Sequence, residues 1–541
     1  MDNLTDKLTD KLTNQQESAP VPLEEDAPKG WRKVMQAWLH PRVVTMLFFG
    51  FSAGIPILLI FSSLSLWLRE AGVSRSAVTF FSWAALGYSF KFVWAPLVDT
   101  LPLPFLTRKL GRRRGWLLLA QIAVITAICF MALTDPASGQ QNLVTMALAA
   151  VMLGFSSATQ DIVIDAYRIE CAEEDMQALL SSTYIAGYRV GMLVAGAGAL
   201  YLASWFGTSK DAYSYTAWQY SYLCMAAVML VGVATTLLIP EPAANSKNYD
   251  YPVSYYLRFL FLFVCTVGVF ITVFFLSSGL GDLFYGLFRG VTDTVPDTPT
   301  ISPLVSFLAE AARLVVALLC ALIAAFFLMR RNLVDGSMVS QTYINPVLDF
   351  FSRYGLHTAL LLLALVGFYR ISDIILGVVA NVFYQDMGFS KQTIASVIKT
   401  FGLFMTLLGG FLGGTLTVRY GVMKILFLGA LLSSATNLLF MLLANAGNNV
   451  PLLYLVISAD NLSAGIATTA FVAFLARLTN VSFTAVQYAI FSSLMTLLPK
   501  LIGGYSGTMV TSWGYHHFFL VTALMGLPVL VLIWLAGKRL D

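Results

Sequence analysis

Three observations predict an all-α polytopic membrane protein. The chain has 541 residues, of which 58% are hydrophobic and only 11% are charged, whereas typical soluble domains carry roughly 25% charged residues. The apolar residues come in repeated runs of about 20, which is long enough to cross a hydrocarbon core of roughly 30 Å. These runs are continuous rather than alternating. Because lipid admits only helices and closed barrels, this pattern indicates helices.

Hydropathy predicts fourteen spans, and the basic residues orient them. The spans are 43–67, 76–98, 115–134, 143–167, 178–204, 218–239, 255–279, 304–329, 357–382, 393–417, 423–444, 451–476, 484–510 and 517–537. With the N-terminus inside, the cytoplasmic segments and adjoining span edges hold 22 of the 33 Lys and Arg, the external loops hold 5 and the spans hold 6. This bias predicts that both termini are cytoplasmic.

The chain repeats itself at two places. "GFSAGIP…LWLREAGVSRSAV" from residue 50 has the spacing of "GFYRISD…VFYQDMGFSKQTI" from residue 367, and "SSTYIAGYRVGMLVAGAG" from 181 matches "FSSLMTLLPKLIGGYSG" from 491, which places Lys500 opposite Arg189. Two parallel six-helix halves are typical of the major facilitator fold. We therefore predict a cytoplasmic tail (1–42), a six-helix bundle (43–242), a linker with two extra transmembrane helices (243–350) and a second six-helix bundle (351–541). The polar tail has no apolar core of a secretory signal peptide.

A charged link joins the second and third spans. "APLVDTLPLPFLTRKLGRRRGW" contains Asp99 and the run Arg112, Arg113 and Arg114. Major facilitator proteins carry a Gly/Asp/Arg-rich cytoplasmic loop here, so these four residues are predicted to pair and to gate the inner side. The alternative for each arginine is a role in orientation or in lipid headgroup contact.

Charged residues lie inside the spans of both halves, although a central Asp, Lys or Arg costs roughly 2.5–3.5 kcal/mol to insert. There are five cations (Lys91, Arg189, Arg370, Lys399 and Lys500) and four acids (Asp161, Asp165, Asp373 and Asp460). Such a set predicts a wet central cavity, and its excess positive charge favours an anionic substrate. For Arg370 and Asp373, three residues apart, mutual neutralisation is the alternative.

The stretch "SSATQDIVIDAYRIE" places Asp161 and Asp165 one helical turn apart on one face. Burial favours the neutral form of a carboxylate and a nearby cation favours the charged form, so a carboxylate under both influences can exchange a proton near neutral pH. Either Asp is a proton site, a substrate contact or the ion partner of Arg189, and Arg168 is expected to emerge at the cytoplasmic end. We predict proton-coupling residues Asp161, Asp165, Asp373 and Asp460. Predicted substrate-binding residues are Lys91, Gln160, Tyr188, Arg189, Arg370, Lys399, Asn461 and Lys500.

Several of these motifs together resemble the AmpG muropeptide permease family. They are "GRRRGWLLLAQI" (111–122), "YSFKFVWAPLVD" (88–99), "SSATQDIVIDAYR" (156–168) and "AGYRVGMLVAGAGAL" (186–200), with "IKTFGLFMTLLGG", "NLSAGIATTAFVAFLARL" and "QYAIFSSL" in the second half. The similarity runs through both halves. It departs in the long N-terminal tail, in the position of the two extra helices and in Lys500, where an Arg would also fit.

The resemblance implies a multi-pass permease of the inner membrane of a Gram-negative bacterium. Such permeases import N-acetylglucosaminyl-1,6-anhydro-N-acetylmuramic acid, with or without peptide, from periplasm to cytoplasm by proton-coupled alternating access. Import serves cell-wall recycling and induces β-lactamase, and hence antibiotic resistance. The cavity cations would hold the peptide carboxylates. The expected partners are the muropeptide, protons and the lipid bilayer. We expect a monomer, no nucleic acid, no cofactor and no metal site.

Three alternatives stay open on the residues alone. A major facilitator transporter could carry another anion, such as an acetyl-CoA-like nucleotide. A polytopic membrane enzyme would need an acid/base or metal constellation, and His516 and His517 are better interpreted as an interfacial loop. A receptor would need a sizeable soluble sensor domain, which the sequence does not contain. We therefore predict a secondary active transporter and not an enzyme.

Overall fold

A computed structural model describes residues 35–73, 88, 90–209, 212–242, 252–277, 303–331, 335–390, 393–503 and 506–540. The side chains of Lys399 and Lys500 lie outside this description, although their backbones are helical. Within the described ranges the chain is helical apart from turns, loops and one isolated β-bridge. The predicted all-α class is confirmed.

Seven labelled helices belong to the first half. They are α1 (Pro41–Leu58), α2 (Ala95–Thr100), α3 (Arg112–Ala132), α4 (Gln140–Glu170), α5 (Gln177–Leu193), α6 (Tyr215–Val228) and α7 (Leu230–Leu238). π-Helical turns at Leu59–Ser63 and Val194–Gly198 extend α1 and α5 into the short helices Leu64–Glu70 and Ala199–Trp205. A 3-10 turn, Lys91–Val93, precedes α2.

The rest of the chain forms ten further labelled helices. They are α8 (Val253–Leu276), α9 (Pro303–Arg330), α10 (Asn345–Phe368), α11 (Ile371–Asp386), α12 (Gly402–Tyr420), α13 (Val422–Ala446), α14 (Val450–Leu478), α15 (Thr484–Gly503), α16 (Ser506–Leu524) and α17 (Gly526–Leu540). A π-helical segment, Ile394–Phe401, leads into α12. Helix α10 bends at Gly355, whose φ of 71° is a left-handed conformation that glycine adopts without steric cost.

Twelve helices in the described ranges are long and apolar enough to cross a membrane. The two remaining predicted spans are not among them. Span 76–98 falls largely outside the described residues, and span 484–510 corresponds to α15, which contributes the shorter apolar segment Val481–Leu497. The chain is thus a multi-pass membrane protein. The count of fourteen and the cytoplasmic position of both termini stay predictions.

Small residues let the helices of each half approach closely. Gly50 and Gly54 of α1 face α5, and a Cβ atom at Gly54 would lie 2.1 Å from the carbonyl oxygen of Tyr188. In the second half, a Cβ at Gly409 of α12 would lie 2.2 Å from the carbonyl oxygen of Leu462 on α14. Such contacts are the usual basis of helix association in lipid, where the hydrophobic effect between helices is absent.

The two extra helices, α8 and α9, pack against each other and leave most of their described side chains exposed, as expected of a lipid-facing pair. Arg313 of α9 lies over the Phe274 ring at 4.7 Å and donates to the Phe274 carbonyl oxygen at 2.8 Å. This cation therefore interacts with its neighbouring helix. The side chain of Glu310 lies outside the description.

The chain crosses from one half to the other within two residues. The Tyr343 hydroxyl donates to the Val93 carbonyl oxygen of the first half at 3.3 Å. Three residues later, the Pro346 carbonyl oxygen accepts a hydrogen bond of 2.8 Å from the Gln487 amide of the second half. Only 344–345 separate these two attachments.

Candidate functional site

A buried group of charges lies inside the first half. Asp165 of α4 is held between two cations: Lys91 Nζ lies 3.6 Å from its Oδ2, and Arg168 Nη2 lies 3.4 Å from its Oδ1. All three side chains are buried. Removing one partner of a buried ion pair is strongly destabilising, so the three charges depend on one another. We call Lys91, Asp165 and Arg168 the charge triad.

The sequence predicted that Arg168 emerges at the cytoplasmic end. Arg168 lies in the last turn of α4, near that end, but its side chain is fully buried. Its guanidinium donates to Ser181 at 3.0 Å and to Gln177 at 3.4 Å. It also lies 5.1 Å from the ring centroid of Tyr488 on α15. Because α15 belongs to the second half, Arg168 joins the charge triad to the interface between the halves.

Asp161 lies one turn before Asp165 and is buried, with Lys91 as its nearest compensating charge. Its Oδ1 atom has no hydrogen-bond partner among the residues that the structure describes. Arg189, one predicted partner of these acids, forms no ion pair with any side chain in the described part of the chain. Asp161 is therefore a buried carboxylate that is only partly compensated.

Two predicted substrate contacts are engaged in helix packing. Gln160 is completely buried and donates to the Ser52 hydroxyl on α1 at 3.0 Å. Asn461 of α14 accepts a 2.9 Å hydrogen bond from the Thr406 hydroxyl on α12. Gln160 is not exposed to solvent in this conformation, whereas the Asn461 side chain is partly exposed. Tyr188 is half-buried, and its backbone carbonyl packs on α1.

Two cations from opposite halves lie close enough for their charges to interact. Arg189 lies on α5 and Arg370 lies at the turn between α10 and α11, and the two guanidinium charges repel each other. Arg189 is surrounded by protein but accessible to solvent, which is the situation of a group in an open cleft. Neither arginine makes a hydrogen bond or ion pair with a described side chain. The sequence alternative of an Arg370–Asp373 pair is not observed, because the Asp373 carboxylate accepts from Ser433 instead.

The acids of the second half lie on helices α11 and α14. Asp460 accepts a 3.5 Å hydrogen bond from Thr436 and is close enough to Asp373 for the two carboxylates to interact. No described cation forms an ion pair with either acid. The described part of the chain therefore shows no ion-pair role for either acid.

Arg113 and Asp99, two of the predicted gate residues, do pair, and they reach the second half. Arg113 Nη2 lies 2.7 Å from Asp99 Oδ1, and Arg113 Nε donates to Glu170 at 2.9 Å. Arg113 also donates to the Thr484 hydroxyl at 2.9 Å, and Asp99 accepts from the Val486 backbone N–H at 3.1 Å. These contacts close the end of the bundle that is predicted to be cytoplasmic.

The neighbouring arginines have other partners. Arg112 donates to the Asp99 carbonyl oxygen at 2.8 Å, so it supports the loop. Arg114 donates to the carbonyl oxygens of Thr236 and Leu237, at 3.0 and 2.8 Å, at the C-terminal end of α7. A basic side chain there satisfies carbonyls that lack an intrahelical partner. The gate assignment of Arg114 is therefore corrected to a helix-capping role within the first half.

Sequence reasoning missed several members of this end. Glu170 closes the "DAYRIE" motif, and Thr484 and Tyr488 lie in "FTAVQY", so the motifs were visible but their mutual contacts were not. Glu241 was missed as well: its carboxylate accepts from the backbone N–H groups of Arg113 and Arg114 and caps α3.

Further contacts between the halves lie at the same end. The Ser182 hydroxyl of α5 donates to the Gly410 carbonyl oxygen of α12 at 2.7 Å. Trp38, just before α1, donates to the Thr415 hydroxyl at 3.3 Å and packs on Phe411 with ring centroids 4.8 Å apart. The structure is thus closed at the predicted cytoplasmic end.

Comparisons with known proteins show which family shares this architecture. The family model of the Major Facilitator Superfamily matches residues 46–340 and 360–540. The chain is 30% identical to "Putative transporter AmpG 4" of Rickettsia conorii over 500 residues, which cover 92% of this chain and 97% of the relative. It is 28% identical to the "Anhydromuropeptide permease" of Escherichia coli K12 over 509 residues, 94% of this chain and 82% of the relative.

Solved structures share the fold. FucP in the outward conformation superposes with a TM-score of 0.55 at 12% identity, covering 92% of this chain and 99% of FucP. The proton:xylose symporter XylE superposes with a TM-score of 0.53 at 12% identity, covering 94% of this chain and 96% of XylE. At this level of identity the likeness establishes the architecture.

Proposed function

We propose, from the premise that the chain belongs to the AmpG transporters of the major facilitator superfamily, that it imports anhydro-muropeptides across the bacterial inner membrane. It is a transporter and not an enzyme. The proposed substrate is N-acetylglucosaminyl-1,6-anhydro-N-acetylmuramic acid with or without its peptide. The proposed direction is from periplasm to cytoplasm, where the product enters cell-wall recycling and β-lactamase induction. The proposed units are 1–42, 43–242, 243–350 and 351–541, with both termini inside.

One observation supports an anionic substrate. It is the pair Arg189 and Arg370, which has no acidic partner among the described side chains. Two unneutralised guanidinium groups in a cleft attract an anion, and a carboxylate accepts charge-assisted hydrogen bonds from them. The peptide of a muropeptide supplies such carboxylates. The name of the Escherichia coli relative agrees with this chemistry. Lys399 and Lys500 stay predicted contacts of the same kind.

We assign proton coupling to the buried acids. Asp161 is only partly compensated, and Asp165 lies in the charge triad with Lys91 and Arg168. A carboxylate in this situation changes the charge balance of the whole group when it binds a proton. Asp373 and Asp460 are the corresponding acids of the second half. Alternating access then consists of rocking of the two halves about the cleft, with loading from the periplasm and release inside.

Uptake by purified protein in liposomes tests this function. Labelled anhydro-muropeptide should accumulate under an imposed inward proton gradient, and a protonophore should abolish the accumulation. Asp161→Asn should lose accumulation but retain downhill exchange, whereas Glu173→Gln, an exposed acid outside the cleft, should accumulate normally.

The outcomes of that assay separate the parts of the proposal. If the protonophore does not affect accumulation, proton coupling is rejected, but the proposed substrate is still supported. Uptake that is competed by an acetyl-CoA-like nucleotide and not by muropeptide would reject the substrate. Full accumulation by Asp161→Asn would remove this residue from the coupling role.

A further inference from the structure

The loop between α2 and α3 carries an exposed aromatic residue in a strained conformation. Phe105 has φ 63° and ψ −46°, and the Leu106 N–H donates to the Pro104 carbonyl oxygen at 2.7 Å. This geometry is the classic γ-turn, which is rare and strained. Among the described residues other than glycine, Phe105 is the one with a positive φ, and its side chain is 82% exposed. The proposed function does not account for this turn.

Contacts within the loop hold the turn in place. The Thr107 hydroxyl accepts from the Leu103 backbone N–H at 2.8 Å, and the Thr107 N–H donates to the Leu103 carbonyl oxygen at 3.1 Å. Glycine would adopt the backbone of Phe105 without steric cost, whereas a strained residue persists only where its surroundings fix it. The turn therefore keeps the Phe105 ring outside the protein core.

The loop lies against the first turns of α3. The Trp116 indole N–H donates to the Leu101 carbonyl oxygen at 2.9 Å. A Cβ atom at Gly115 would lie 3.4 Å from the Cβ atom of Leu106, so the loop and the helix are in contact there. Gly115 and Trp116 begin the predicted third span. Phe105 is thus placed at the edge of the membrane, within reach of the acyl chains.

Two basic residues follow the turn. Arg108 and Lys109 lie on the short helix Leu106–Leu110, and both are exposed. Neither forms an ion pair with a described side chain. Lys and Arg close to a membrane surface are attracted by anionic headgroups. An aromatic ring that enters the lipid beside cations that stay at the headgroups is typical of interfacial anchors.

We propose that Phe105, Arg108 and Lys109 form an interfacial anchor that binds anionic phospholipid at the predicted cytoplasmic leaflet. The ring enters the acyl chains, and the two cations pair with headgroup phosphates. The loop begins after Asp99 and ends at Arg112, which donates to the Asp99 carbonyl oxygen at 2.8 Å. The anchor therefore fixes the base of the predicted gate at the membrane surface.

Quenching by brominated lipids tests the anchor. A nitrobenzoxadiazole label is attached at Phe105→Cys in full-length protein whose five native cysteines have been replaced. The protein is reconstituted in vesicles of phosphatidylcholine and phosphatidylglycerol. Brominated acyl chains should quench this label strongly. They should barely affect a label at the exposed Glu173→Cys, because the neighbouring Glu174 pairs with Arg477 of the second half.

The charge of the lipid tests the role of the two cations. Quenching by brominated phosphatidylglycerol and by brominated phosphatidylcholine gives their relative affinity, which should favour the anionic lipid about fivefold for each basic side chain. Arg108→Gln/Lys109→Gln should abolish this preference. Lys538→Gln/Arg539→Gln is the matched control, because it removes the same charge from exposed positions near the end of α17, and it should leave the preference unchanged.

A second label position tests the ring itself. Pro104 is exposed beside Phe105, so a label at Pro104→Cys reports on the loop while the ring is still present. Brominated lipid should quench this label in protein that retains Phe105, and the quenching should fall markedly when Phe105→Ser is added. Equal quenching in the two proteins would overturn the role of the ring.

The remaining outcomes decide the partner. A label at Phe105→Cys that is quenched no more than the label at Glu173→Cys would overturn the anchor. Equal affinity for the two lipids, or a preference that survives Arg108→Gln/Lys109→Gln, would overturn the assignment to anionic lipid. If cytosolic extract shields the label and lipid does not, the partner is a soluble protein and the proposal fails. These measurements do not use muropeptide, so they are independent of the proposed function.

Discussion

Ser182 and Gly410 are joined by a hydrogen bond of 2.7 Å that runs from one six-helix half to the other. The bond does not depend on the glycine, since a Cβ atom at Gly410 would lie at an ordinary contact distance of 3.6 Å from the Ser182 hydroxyl. Because this bond exists only when the predicted cytoplasmic end is closed, its strength contributes to the balance between the two orientations of the cleft.

Ser182→Ala should shift that balance. A hydrogen bond of this kind contributes about 1 kcal/mol, so the population open at the cytoplasmic end should rise about fivefold. The measurement is the distance between spin labels at the exposed positions Glu173→Cys and Ser482→Cys, in protein whose five native cysteines have been replaced. Thr183→Ala is the matched control, because the Thr183 hydroxyl donates to Leu179 of its own helix. Equal effects of the two substitutions would contradict a role of the crossing bond.

Arg113→Gln should destabilise the protein strongly. Arg113 is 1% exposed and pairs with both Asp99 and Glu170, and breaking such a buried network costs roughly 3–5 kcal/mol. Thermal unfolding in detergent should show a much lower midpoint. Arg112→Gln loses only a bond to a backbone carbonyl, so its midpoint should remain near that of the parent. A normal midpoint for Arg113→Gln would refute this account.

Gly54→Ala should prevent close packing of α1 on α5. The added methyl group would lie 2.1 Å from the Tyr188 carbonyl oxygen, a backbone atom that cannot rotate away. Size-exclusion profiles should show loss of the monodisperse folded protein. Gly268→Ala provides the comparison, because nothing lies within 4 Å of the corresponding position on α8. A monodisperse Gly54→Ala protein would show that the helices can separate at little cost.

Arg189→Gln should raise the KM for muropeptide about tenfold or more, since a hydrogen bond to a charged group contributes about 1.5–3 kcal/mol. For a substrate whose peptide carboxylates are amidated, the parent and the Arg189→Gln protein should have the same KM. Arg114→Gln removes a cation that caps α7, so it should lower thermal stability and leave KM unchanged. If the Arg189→Gln protein has the same KM as the parent, the substrate carboxylate does not bind at Arg189.

Composition and periodicity were sufficient for the class of fold, because lipid permits few alternatives. They also located the charges: Lys91 and Asp165 form an ion pair, and Asp99 pairs with Arg113. What they could not provide is the rotation of each helix. Arg113 and Arg114 are neighbours in the chain, but successive residues point about 100° apart on a helix. One therefore meets the acids, and the other meets the end of α7.

The contacts between the halves could not be predicted from the sequence for a different reason. Arg113 and Thr484 are 371 residues apart, and no local pattern links them. Gln160 shows the same limit: it is adjacent to Asp161, but its side chain is directed at Ser52 inside the bundle. A polar residue in a span signals a partner, and whether that partner is a substrate or another helix depends on packing.

The two attachments on either side of 344–345 have a mechanical consequence. Although about a hundred residues separate the two bundles in the sequence, Tyr343 is fastened to the first half and Pro346 to the second. In the closed conformation the direct link between the halves is therefore two residues long. While both hydrogen bonds hold, this link limits how far the halves can move apart at this position, and the length of the inserted pair does not enter that limit.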